Sequence, residues 1–249
     1  MIRLIALFLL LAIPAKAEEI VLGLSQDEVA ITATFDGSEI LIFGAIKRNE
    51  PVPDEGVLGV IVTVAGPDLP ITVRRKERRF GIWVNTEAVD IDVAPSFYAV
   101  ATNKPLNEIL TMSEDINTQI STRRAIRSIG KAEYDNKNFI DALIRIRAGK
   151  GLYQTLPGGV TIDDETLFRT LITLPANLTE GDYKAEIYLT RDGEIIDLYA
   201  ATIPVKKVGL ERWLYNLAHD NSLIYGLMSL SIAIAAGWLA SAAFTVFRR

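Results

Sequence analysis

Apolar and polar positions change their period along the chain, and the changes predict its elements. Residues 20–103 follow a period of two in short runs. Val29, Ile31, Ala33 and Phe35 alternate with Ala30, Thr32 and Thr34, the pattern of a half-buried strand. Asp36-Gly37 reads as a turn, and residues 40–46 return with apolar side chains on both faces. A hairpin whose second strand is central is therefore expected. A loop at Pro51, Pro53 and Gly56 leads to Leu58, Val60, Val62 and Val64, closed by Gly66-Pro67. Residues 71–75, 80–85, 91–93 and 97–102 continue the series. Short strands at this spacing predict an immunoglobulin-like β-sandwich region over 18–103.

The period lengthens at Pro105, opening a helical segment over 104–150. Leu106, Ile109, Leu110, Ile116, Ile120, Ala125, Ile126 and Ile129 recur at helical spacing, with Gly130 as a stop. A second helix is expected from Asn136, with Phe139, Ile140, Leu143, Ile144 and Ile146 as its stripe and Gly149 as its end. Arg145, Arg147 and Lys150 near that end oppose the helix dipole. Strands resume over 151–208. Gly158-Gly159 opens them, and residues 167–174 follow. Tyr183, Ala185, Ile187 and Leu189 then alternate with polar neighbours before an Asp192-Gly193 turn and a return over 195–205. The pattern leaves open whether these strands build a second sandwich or complete the first.

Residues 209–221 place Leu210, Trp213, Leu214 and Leu217 on one face, opposite Glu211, Arg212 and Asn216. That predicts a short helix lying in a membrane interface. Residues 222–247 contain no charge, and a bilayer core of about 30 Å needs about 20 apolar residues in a helix. A transmembrane helix is expected there, with Arg248 and Arg249 as a cytoplasmic end over 248–249. At the other end, Arg3, the apolar run 4–13 and Pro14, Ala15, Lys16 and Ala17 read as a signal peptide over 1–17, cleaved after Ala17. The alternative is an uncleaved anchor and two spans. The first reading exports residues 18–208 and leaves one span in contact with membrane lipid.

Charge and cysteine content narrow the function classes. The net charge is −5, which argues against a general nucleic-acid binder. The absence of cysteine removes disulfides, thiol nucleophiles, zinc-thiolate sites and haem attachment together, and excludes lipoprotein anchoring.

Candidate chemistry is sparse. Arg74, Arg75, Lys76, Glu77, Arg78 and Arg79 lie between two strand patterns. They suit either a solvated hairpin tip or edge, or a patch for phosphate headgroups or another anion. Strand alternation divides them between two faces. Arg123, Arg124 and Arg127 could line a groove between the two helices, or serve as paired and capping residues. Asp163, Asp164 and Glu165 lack the spacing of a calcium loop and read as turn carboxylates. Asn177-Leu178-Thr179 matches a glycosylation sequon too short to carry weight. The single histidine, His219, has no placed nucleophile near it and reads as a boundary residue. Ser229, Ala233, Gly237 and Ser241 recur every four residues, a small-residue face on which another membrane helix could pack. No catalytic, metal or cofactor constellation is present, so an enzyme is not expected.

Five stretches carry a resemblance to a known family: 23–45 (GLSQDEVAITATFDGSEILIFGA), 73–85 (VRRKERRFGIWVN), 94–102 (APSFYAVAT), 166–183 (TLFRTLITLPANLTEGDY) and 208–220 (VGLERWLYNLAHD). The chain resembles the alphaproteobacterial transmembrane family Alph_Pro_TM over nearly its whole length after the leader. The resemblance implies a bacterial inner-membrane protein whose body faces the periplasm. It carries no assigned activity, so it gives no residue a role. Such proteins are often encoded beside permeases resembling the TauE/SafE sulfite exporters. The expectation is a non-enzymatic accessory or interaction module of a membrane complex, with a permease of sulfite-exporter type as partner. The alternative is a periplasmic anion-binding or sensing domain using the arginine-rich surfaces.

Overall fold

The computed structural model describes residues 18–26, 28–32, 35–48, 56–127, 133–164 and 166–247. The expected leader, Ala33, the loop prolines Pro51 and Pro53, the Ile129-Gly130 helix end, Glu165 and residues 248–249 lie outside them. Contacts divide the chain into two units. One holds the described residues up to Val29 together with Asp36–Val205; the other holds Ala30–Phe35 and Lys206–Arg249.

The first unit is mainly β. The strands are β1 (Glu18–Leu24), β2 (Val29–Ile31), β3 (Gly37–Arg48), β4 (Leu58–Ala65), β5 (Asp68–Arg79), β6 (Ile82–Pro95), β7 (Tyr98–Thr102), β8 (Tyr153–Pro157), β9 (Val160–Asp163), β10 (Leu167–Pro175), β11 (Gly181–Arg191) and β12 (Glu194–Lys207), with Ala30 and Ile31 of β2 and Lys206 and Lys207 of β12 in the second unit. They form a four-stranded sheet in the order β1-β3-β10-β9, a six-stranded sheet in the order β2-β12-β11-β4-β7-β8, and a two-stranded ribbon, β5-β6. The β1–β3, β3–β10, β9–β10, β11–β12, β4–β11, β4–β7 and β5–β6 pairs are antiparallel, and β7 pairs with β8 in parallel. The two β regions of the sequence are thus one fabric. Strand β10 zips onto β3, and β11 onto β4.

The hairpin expected at Asp36-Gly37 does not form. Strand β3 pairs with β1 and β10, and β2 belongs to the other sheet. Gly37, at φ +126°, carries the chain into the sheet opposite Pro175. The second strand is nonetheless central, as its apolar run implied.

The central strands of the six-stranded sheet, β4 and β7, are buried on both faces. Residues Gly59 through Val64 in β4 and all of β7 are buried. One face, with Val62, Val64, Ala99, Ile187 and Leu189, meets the four-stranded sheet, where β10 lies against β7 and β9 against β4. Ile40, Ile42, Phe168, Ile172 and Leu174 fill the facing side. Gly44 leaves room for the Phe168 ring: a Cβ there would sit 2.5 Å from Cζ. The opposite face carries Ile61, Tyr98, Val100, Tyr153 and Tyr188, which cluster with helical residues and the base of the ribbon.

Those helices are α1 (Leu106–Ile109), α2 (Met112–Thr118) and α3 (Glu133–Ala148). The long first helix expected from 106 is broken. Leu110 is extended, Thr111 N–H donates to Gly193 O at 2.9 Å, and Gln119 is left-handed at φ +58°. Ile109 closes directly over Gly59, where a Cβ would approach its own Cβ to 2.6 Å. Ile116, expected in the buried stripe, is exposed. Arg147 does more than offset the α3 dipole. Its buried guanidinium donates to Pro95 O and, at 2.8 Å, to the Tyr153 hydroxyl, which itself donates to Pro95 O.

A second polar knot ties both sheets. Glu18 Oε1 accepts from Arg48 Nε and from Arg191 Nη2, each at 2.7 Å, and all three side chains are largely buried. The second unit contains α4 (Leu210–Asp220) and α5 (Ser222–Phe247), the latter uncharged throughout. Within it, Val208 N–H donates to Ile31 O.

Replacing Arg48 by Leu leaves the Glu18 carboxylate with one cation, and should lower stability by about 3 kcal/mol in chemical denaturation. Burial raises the ionisation of Tyr98 and Tyr188 above the ordinary tyrosine range, with Glu186 adding to both. Unfolded tyrosine ionises near pH 10, so their contribution is intact below about pH 10 and is lost as pH rises beyond it. The thermal midpoint should fall above that pH, and less steeply in Tyr188→Phe. An identical alkaline slope in the variant would contradict this.

Candidate functional site

Three surfaces are left over once the core is accounted for. The first is the outer part of the β5-β6 ribbon. Beyond Val73 on β5 and its partner Val89, no ribbon residue is buried. Six further residues at about 3.3 Å each extend it by about 20 Å. The basic run is strand, not loop. The turn is Phe80-Gly81, with φ +50° and +85° and Arg79 opposite Ile82, as in a type I′ hairpin.

Alternation sorts the arginines. Arg75 faces α3, lying 5.0 Å from the Phe139 ring centroid, and pairs with Glu87 at 2.7 Å. Arg79 pairs with Glu77 at 3.2 Å. Arg74, Lys76 and Arg78 share the other face and make no ion pair among the described residues. Trp83 is directly opposite Arg78. At the tip Phe80 is fully exposed, and Ile82 and Trp83 are 64% and 68% exposed. These three apolar side chains were not legible as a site. The sequence pattern absorbs them into a strand, and only the Phe-Gly pair, in a turn that favours Asn-Gly, signals otherwise.

The remaining arginines serve the fold. Arg123 pairs with Asp141 of α3, and Arg124 Nε donates to Asp115 Oδ2 at 2.8 Å. Arg127 forms a two-way backbone bridge with Val93. The ribbon and the 123–127 segment therefore meet around α3 through Arg75 and Arg123, but each of these two guanidinium groups already faces a carboxylate. Asp163 lies 3.8 Å from Arg169, and Asp164 occupies a left-handed turn position.

The second surface is the outer face of the four-stranded sheet. Register places Ala45 between Val21 and Leu167, Phe43 between Gly23 and Arg169, and Leu41 beside Leu171. Val21, Leu41, Phe43, Leu167 and Leu171 are exposed. Glu19 with Lys47 and Asp163 with Arg169 supply charge at the rims.

The third surface is α5. Residues Ser222–Ala243 are long and apolar enough to cross a membrane, and none of that window is buried. Ser229, Ala233, Gly237 and Ser241 all lie on this helix, and space within 4 Å of a Cβ at Gly237 is open. In α4, the His219 ring stacks on Tyr215 at 4.0 Å, and its Nδ1 lies 2.8 Å from Tyr215 O.

A family profile described as "Putative transmembrane protein (Alph_Pro_TM)" matches residues 19–246. The chain belongs to that family. The match takes in the β-rich body and nearly all of α5, so the Alph_Pro_TM unit includes both the sheets and the candidate span. A comparison with curated proteins gives no match.

Phe80 holds a left-handed conformation that costs a bulky L-residue about 1 kcal/mol and that asparagine adopts readily. Phe80→Asn should therefore stabilise the ribbon by about 1 kcal/mol. Hydrogen exchange of the amides in 71–91 should slow. Faster exchange would mean that the aromatic ring supports the turn.

Proposed function

We propose that the protein is a single-pass bacterial inner-membrane accessory module without enzymatic activity. In this reading a leader at 1–17 exports the body, α5 spans the bilayer, and 248–249 end in the cytoplasm. The stacked antiparallel sheets support an immunoglobulin-like periplasmic module, with the parallel β7–β8 pair as an addition. That module docks a protein or presents a ligand to one.

One combination of features carries the proposal. An uncharged helix of bilayer length is joined to a β body with an uncovered apolar sheet face. Exposed apolar surface of this kind marks interaction sites, and the small-residue row on α5 lets a neighbouring helix approach closely. The partner is a second membrane protein, with a permease of sulfite-exporter type as the first candidate. A soluble-anion sensor has less support, since Arg75, Arg79, Arg123 and Arg124 each face a carboxylate.

A photo-crosslinking residue at position 237, in intact membranes, should yield an adduct with a second membrane protein. Ala233→Leu together with Gly237→Leu should remove most of it. Recovery of uncrosslinked chain alone, or of a self-adduct alone, would overturn the proposal.

A further inference from the structure

The ribbon tip combines features that folding does not require. Its three apolar side chains are solvated, its turn keeps a phenylalanine in a left-handed conformation, and one face presents three cations that make no ion pair among the described residues. Edge protection alone accounts for the cations but not for Phe80, Ile82 and Trp83. Apolar groups at the end of a hairpin, with cations behind them on one face, match the two layers of an anionic bilayer surface. Aromatic rings settle at headgroup level, and Lys or Arg meet lipid phosphates.

We infer that the tip of the β5–β6 ribbon docks on an anionic lipid surface. Phe80, Ile82 and Trp83 enter the interface, and Arg74, Lys76 and Arg78 bind headgroup phosphates. The inference rests on the membrane reading proposed above. Charge complementarity favours lipid over an apolar protein groove, because three unpaired cations on one face would need matching acids there. Each cation near an anionic leaflet is worth about 1 kcal/mol, so three change surface partition by on the order of a hundredfold.

The test uses the full chain with Trp213→Phe and Trp238→Phe, which leaves Trp83 as the only indole among the three tryptophans. The protein is reconstituted into vesicles of phosphatidylcholine with phosphatidylglycerol, and into phosphatidylcholine alone, each with brominated acyl chains. Trp83 emission should shift to the blue and be quenched by the brominated lipid in the anionic vesicles. Quenching should be at least halved in phosphatidylcholine alone, and in an Arg74→Gln, Lys76→Gln, Arg78→Gln variant with an unchanged thermal midpoint.

Protein that floats with vesicles while Trp83 stays water-exposed would overturn the inference and leave the membrane reading intact. Protein that does not float would overturn the membrane reading itself. Quenching that survives the triple substitution would remove the role of charge and sink the inference as stated. Trp83 shielded in native membranes but not in lipid vesicles would identify a protein occupant instead.

Discussion

Burial of β4 and β7, the centre of the six-stranded sheet, on both faces is the constraint from which the rest of the body follows. A sheet with two apolar faces needs two covers. The four-stranded sheet covers one, with β10, which carries the buried Phe168, Ile172 and Leu174, against β7, and β9 against β4. The helices and the ribbon base cover the other, with Ile109, Phe139 and Leu143 set among Tyr98, Tyr153 and Tyr188. The described helical residues between β7 and β8 are therefore part of the core's cover. The helical middle is the lid of a core that would otherwise face water.

The tyrosines explain how that lid can be partly polar. Tyr98 donates to Ile120 O at 2.7 Å, and Tyr153 to Pro95 O at 2.8 Å. Each brings a large ring to the cluster and satisfies a carbonyl that irregular backbone would leave unpaired. Short helices with broken ends expose more such carbonyls than one long helix would. Tyr98 meets the backbone just past the end of α2, and Tyr153 meets it at the end of β6.

The periodicity of the sequence revealed most strands, the α3 helix and the apolar α5, because each rests on a local repeat. Two features were hidden for a physical reason. The partner of a strand is a non-local fact: Asp36-Gly37 has the composition of a hairpin turn but moves the chain between sheets. The break at Leu110–Thr111 is likewise set from outside, by a hydrogen bond to Gly193 in a turn more than eighty residues away. At the candidate site, the arginine-rich strand and the small-residue helix face were visible as composition. The exposed tip was not, because strand spacing alone cannot tell a residue facing a core from one facing water.

Arginine shows the same limit in one residue type. Arg48, Arg147 and Arg191 are interior struts, held by a carboxylate, a carbonyl or a phenol. Arg75, Arg79, Arg123 and Arg124 are neutralised by neighbouring acids, two of them on elements that pack against α3. Arg74 and Arg78 differ from these by strand parity: among the described residues neither makes an ion pair, and Asp90, on the same face, accepts from Thr72. A guanidinium already committed to a buried or bidentate partner has little left to offer a ligand, since leaving would strand the partner's charge. Recognition on this protein therefore falls to the groups the fold leaves uncommitted, and on the ribbon those are gathered on one face and at one tip.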